Sequence, residues 1–307
     1  MRLLLSSLAW VPTLLLLFAP GCEQPARRSS PPRVAPHGSP HGLSPTALPA
    51  TPSPSHTPGS QVQWLALSTT NSALDPRWGP ALTEIMQRKP PRERGHWEDP
   101  PTLAHEMTHS IHFELRLANS HARRMNGFYV LGGRAAVVTE PRFTKATVAS
   151  LVPPSLRRGR HDSYLIGQQG WDARPLYVWD EWTAYINGAV VAIERFQLGL
   201  APHTTFATSD RVFAVLEFTV YAMAVVLAAS YHDPSTLQFD TQFREFFAYN
   251  AERAMTTFER GRSLAPFQWP ASDVVQRALR TSPDAESLRQ CMRAVYGAPW
   301  TARVFGF

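Results

Sequence analysis

From Phe218 to Ser230 the chain reads FTVYAMAVVLAAS, with no charge and no polar face. A helix that is apolar all round must be surrounded on every side. The run is too short to cross a bilayer, which takes about 20 apolar residues, and Glu217 blocks its extension. It is expected as the buried axis of a helical domain. It lies within a helix expected over 210–231, and further helices are expected at 176–199, 240–260, 272–281 and 284–296, with Asp210, Asp240, Ser272 and Ser282 as N-caps.

Upstream the pattern is mixed. Gln61–Leu67 reads as a strand and Pro80–Arg88 as a short helix. Phe128–Leu131 and Arg134–Thr139 flank Gly132-Gly133, a hairpin signal, and a helix is expected over Thr144–Leu151. The fold class expected is α+β, predominantly helical, with a small sheet. Residues 61–307 suffice for one substantial domain.

The first sixty residues are of another kind. Residues 1–21 carry one positive charge, Arg2, then an apolar run from Leu3 to Phe18 broken by Ser6-Ser7 and Pro12, then small residues. This is the pattern of a secretory signal peptide. Ala19-Pro20-Gly21-Cys22 resembles the bacterial lipobox, although alanine stands where leucine is usual. The resemblance implies a lipid on Cys22 and a membrane-anchored, exported protein; ordinary secretion with cleavage nearby is the alternative. Residues 22–60 are dense in proline and serine, cannot bury a core, and read as a disordered, extended tether. With Cys22 acylated, Cys291 has no partner and no disulfide framework is expected.

Formal net charge is +6, yet only Lys89 and Lys145 are lysine, so nearly all of the 30 basic residues are arginine. That balance reads as the coding bias of a GC-rich genome. The cluster Arg157-Arg158-Gly159-Arg160-His161 is expected as a solvated loop. No basic stripe interleaved with aromatics is present, and a nucleic-acid partner is not expected.

The chemistry is concentrated between Thr102 and Asn119. His105-Glu106-Met107-Thr108-His109 places two imidazoles about 40° apart around a helix, on one face, where both can hold one metal. Glu106 lies on the flank of that face, placed to reach a water molecule rather than the metal. Asp99 before Pro100-Pro101 signals the helix start, and Leu103, Met107, Ile111 and Ala118 form an apolar back. A catalytic zinc site needs a third protein ligand. His112 shares the face, but 105 to 112 spans about 10 Å of helix axis, too far for three side chains to converge.

The better candidate is Glu181, at the head of a stripe of small residues, Ala184, Gly188 and Ala192, that lets its helix approach another closely. Asp180 is the nearest substitute; Glu140, Glu217 and His161 are remoter ones. Tyr185, one turn after Glu181, can place a phenol where an oxyanion develops. Here the chain resembles the gluzincins, with His105, His109 and Glu181 as ligands and Glu106 as base. The resemblance covers residues 102–112 and 177–192. It implies a zincin-like domain, a Zn2+ cofactor and a peptide or protein substrate. Gluzincins of the thermolysin type carry an acidic residue four places after the third ligand; here that place is Tyr185. Two other readings stay open: a non-enzymatic, zincin-shaped lipoprotein, and a zinc hydrolase acting on a non-protein amide or ester.

Overall fold

A computed structural model describes residues 57–72, 75–93, 95, 97–120, 124–201 and 206–307. The signal segment 1–21, Cys22 and the tether as far as residue 56 lie outside the described residues. In chain order the elements are β1 (Leu65–Ala66), α1 (Pro80–Met86), α2 (Pro100–Asn119), β2 (Met125–Tyr129), β3 (Arg134–Thr139), α3 (Lys145–Leu151), α4 (Tyr177–Gln197), α5 (Phe206–His232), α6 (Pro234–Phe239), α7 (Thr241–Arg262), α8 (Ala271–Thr281), α9 (Glu286–Tyr296) and α10 (Ala298–Phe305). A π-helical stretch, His161–Ile166, lies between α3 and α4. The protein is thus mainly helical, with one small antiparallel sheet in the order β1-β3-β2.

The helix that carries the apolar run is longer than the run itself: contrary to the expectation, Asp210–His232 is by length and composition long and apolar enough to cross a membrane. Its apolar stretch is nevertheless buried inside the protein, and only its C-terminal end is exposed, at Tyr231 and His232. Helices α3, α4, α7, α8 and α9 pack around it. The contact with α4 is also polar where it must be: Trp182 Nε1 donates to Thr219 Oγ1 at 3.0 Å, and that hydroxyl donates to the Val215 carbonyl at 2.7 Å. Buried polar atoms are thereby satisfied without breaking the apolar contact.

Helix α2 starts as expected: Asp99 accepts from the Thr102 backbone N–H and hydroxyl, and Pro100-Pro101 occupy the first turn. Two glycines let its neighbours come close. A Cβ on Gly127 of β2 would stand 2.2 Å from Leu115 Cβ. One on Gly188 of α4 would stand 3.0 Å from the Pro101 carbonyl oxygen and 3.6 Å from His105 Cβ. The small-residue stripe therefore meets α2 at the turn that carries the first histidine.

Several boundaries differ from expectation for local reasons. Only Leu65–Ala66 of the expected 61–67 strand pairs with β3. Leu131 leaves the hairpin strand and joins Gly132 and Gly133 at positive φ. Glu84 of α1 holds that turn, accepting from Gly133 N at 2.8 Å and from the Tyr129 hydroxyl at 2.6 Å. Asp240 caps α7 as expected, accepting from Phe243 N. Asp210 lies inside α5, Pro270 rather than Ser272 precedes α8, and Ser282 precedes a short 3-10 turn before α9 without a side-chain capping bond.

Candidate metal centre

His105 and His109 present their Nε2 atoms 3.0 Å apart on α2. Glu181 Oε2, from α4, stands 3.4 Å from the first and 3.5 Å from the second. Three donors each about 2.0–2.1 Å from a tetrahedral ion lie about 3.3 Å from one another. The triangle has that size. Glu181 Oε2 is also buried without a hydrogen-bond partner, an arrangement that is costly unless a cation completes it. Burial alone would raise the Glu181 pKa, but the adjacent His109 and His105 hold it down at about 2, so the carboxylate is ionised. The residues fit a divalent ion, and two imidazoles with a carboxylate suit zinc among others.

The residue before the ligand has a separate task. Asp180 Oδ1 accepts from His109 Nδ1 at 2.5 Å and from His112 Nδ1 at 2.9 Å, while Oδ2 accepts from Arg116 Nη1 at 3.1 Å. Burial disfavours its charge, yet His112 and His109 outweigh that and hold the pKa well below the carboxylate range. An ionised Asp180 keeps a proton on His109 Nδ1, so Nε2 is the atom that would give its lone pair to a metal once its own proton has left. His109 is buried, which lowers its pKa, but Glu181 and Asp180 together raise it well above the ordinary value in the metal-free protein. His112, fully buried, is pushed down by desolvation. His109, His112 and Asp180 also form a close group. The Arg116 guanidinium on the same carboxylate disfavours a second cation there.

Replacing Asp180 with Asn should lower metal affinity about 10- to 100-fold, the usual effect of losing the partner of a ligating histidine. Competition against a chromophoric chelator measures it; an unchanged affinity would show that Asp180 does not orient His109.

Behind Asp180 a buried chain of polar groups reaches the start of α4. Arg116 Nη1 donates to Asn126 Oδ1 at 3.2 Å, Asn126 Nδ2 donates to Glu140 Oε2, and the Leu176 N–H donates to Glu140 Oε1 at 2.7 Å. Burial lifts Glu140 from 4.5 to about 7, against the pull of the Leu176 N–H and Arg124. Its proton is therefore held more tightly folded than unfolded. Below pH 4.5 both states are protonated and there is no contribution; as pH rises towards 7 unfolding releases a proton, and stability falls. The loss amounts to up to about 3 kcal/mol. Urea unfolding of the metal-free protein at pH 5, 6, 7 and 8 should show this decline, and Glu140→Gln should flatten it.

The hydroxyl side of the site comes from three tyrosines. Tyr185 packs its ring against His105, with centroids 4.5 Å apart, and its hydroxyl lies 2.7 Å from that of Tyr164, on the π-helix. Burial raises the pKa of both phenols, so both remain protonated. Tyr177, on the first turn of α4, precedes Glu181 by one helical turn and stacks on Trp171. Arg160, expected in a solvated loop, is instead largely enclosed: it donates to Glu217 at 2.6 Å and Asp210 at 2.5 Å, and lies 5.3 Å from the Tyr185 ring centre. Arg157, in the same run, is exposed as expected.

His105, His109 and Glu181 are thus brought together, with Tyr185 beside them. Glu106 sits half-buried on the flank of α2, and no hydrogen bond holds its carboxylate among the described residues. The remoter ligand substitutes are engaged elsewhere: Glu140 with Leu176 and Asn126, Glu217 with Arg160, and His161 with Asp162 and the Ala149 carbonyl. Asp180, expected only as a substitute ligand, instead holds His109, His112 and Arg116, and Arg116, Tyr164 and Tyr177 were not assigned from sequence. The adjacent acids Asp180-Glu181 are the one signal that could have pointed to a paired role, since they project about 100° apart on a helix.

No family model, curated protein or solved structure matches this chain.

Proposed function

We propose that the protein is a zinc-dependent metallopeptidase of zincin-like fold, anchored through Cys22 to a bacterial membrane on the exported side. The observation that carries the reading is the buried, unpartnered Oε2 of Glu181 converging with two histidine Nε2 atoms, one of them fixed by Asp180. His105, His109 and Glu181 would hold the ion. Bound there, zinc would supply Lewis-acid polarisation of a carbonyl and acidify water to a pKa of about 7.

The chain's own groups do the rest. Glu106, on the flank of the histidine face, takes a proton from the attacking water and returns it to the leaving nitrogen. The Tyr185 hydroxyl, with Tyr164 bonded to it, donates towards the oxygen that gains charge as the carbonyl becomes tetrahedral. Asp180 keeps the His109 ring in one tautomer throughout.

The test is metal content followed by cleavage. Purified protein should contain one zinc per chain and cut members of a mixed peptide library, with loss of cutting on chelation and recovery on adding zinc. Stoichiometric zinc without cleavage of any peptide would reject the peptidase reading and favour a binding role. Cleavage of small amides or esters alone would move the substrate outside peptides.

A further inference from the structure

Lys145 is one of the two lysines in an arginine-rich chain, and it is fully buried. Its Nζ donates to the Tyr164 carbonyl oxygen at 2.7 Å, stands 3.7 Å from Asp172 Oδ1, and lies 5.8 Å from the centre of the Tyr177 ring. Burying an ammonium is expensive unless a counter-ion is close. Asp172 is half exposed and beyond hydrogen-bond distance, so a tight ion pair does not account for the position.

The π-helix explains the need for a donor. In the wider turn Gly167 N donates to Asp162 and Gln169 N donates to Gly167, and the Tyr164 carbonyl takes its hydrogen bond from Lys145. Such turns place a side chain where the regular 3.6-residue period would not. The side chain placed here is Tyr164, whose hydroxyl meets Tyr185 beside His105. The same ammonium lies over Tyr177, which precedes Glu181 by one turn of α4 and is stacked on Trp171. A guanidinium is a larger, planar fork and does not replace a compact point donor in a closed space.

We propose that Lys145 is a positioning residue of the metal centre: one ammonium fixes two tyrosines, Tyr164, whose hydroxyl meets Tyr185, through its carbonyl and Tyr177, one turn before Glu181, through its ring. The inference rests on the reading of this site as a catalytic metal centre, and the experiment separates the two. Lys145→Met keeps the apolar stem and removes the donor; Lys145→Gln keeps a neutral N–H. In full-length protein with 13C-labelled tyrosine, Lys145→Met should shift the Tyr164 and Tyr177 resonances and leave that of Tyr231 in place, with or without zinc. Zinc stoichiometry should stay at the wild-type value. On a cleaved peptide kcat should fall about 10- to 100-fold with KM little changed, as for a misplaced group near the reacting atoms. Lys145→Gln should recover much of that loss. In a Tyr164→Phe background the loss on Lys145→Met should shrink to the part that passes through Tyr177.

Unmoved tyrosine resonances in Lys145→Met, or a fully multiplicative loss with Tyr164→Phe, would overturn the proposal. If Lys145→Met does not fold, Lys145→Gln carries the same resonance test: an intact donor should hold both tyrosines near their wild-type shifts, and displaced ones would overturn it. If the wild-type protein cleaves no peptide, the peptidase reading fails while the resonances still decide the role of Lys145.

Discussion

Replacing Glu181 with alanine is expected to lower zinc affinity by more than about a hundredfold, since loss of even an outer partner of a ligand costs about 10- to 100-fold. Three donors form the triangle, and the carboxylate is the only one that α4 contributes. Without it the two imidazoles of α2 share an ion with no anionic ligand. The consequence extends to stability. A ligand held at a thousand times its dissociation constant stabilises the native state by about 4 kcal/mol, and a hundredfold weaker site under the same conditions gains only about 1.4 kcal/mol. Thermal unfolding with and without zinc therefore separates loss of a ligand from general damage. The zinc-dependent rise in Tm should shrink, while the metal-free protein remains folded. His105→Ala and His109→Ala should behave alike. A Glu181→Ala protein that binds zinc as the wild type does would remove Glu181 from the ligand set.

The sequence carried the parts of this site that depend on spacing along one helix. His105 and His109 share a face because the period is 3.6, and no tertiary knowledge is needed to see it. Glu181 was legible for a second reason: the small residues after it mark a helix that must come close to another, and Gly188 does meet α2 at His105. The buried α5 followed from composition alone.

Other parts depend on how elements rotate against each other. Asp180 could be read as a substitute ligand, and only the rotation of α4 shows that its carboxylate reaches the far nitrogen of His109. Arg160 reads as one more exposed arginine until Glu217 and Asp210 of α5 enclose it. Tyr164 is hidden by the π-helix, whose wider turn follows no simple period in the side chains. Lys145 directly follows the Thr144 cap of α3. Nothing local distinguishes a lysine that points inward.

Glu106→Gln should keep zinc and fold but lower kcat about 10²- to 10⁴-fold, the usual contribution of a general acid–base group. The side chain is half-buried, on the flank of α2, and its carboxylate has no hydrogen bond among the described residues. A carboxylate held by neither capping nor an ion pair has little structural work to lose, and glutamine has nearly its shape. What disappears is the basic lone pair that accepts a proton from water. Zinc content, the thermal midpoint and KM for a cleaved peptide should therefore stay close to wild type, with the deficit confined to kcat. Single-turnover cleavage at saturating enzyme measures that step without product release. Loss of zinc in this variant would make Glu106 a ligand. Wild-type turnover would place the base elsewhere in the site, and the proton-transfer step assigned to α2 would fall with it.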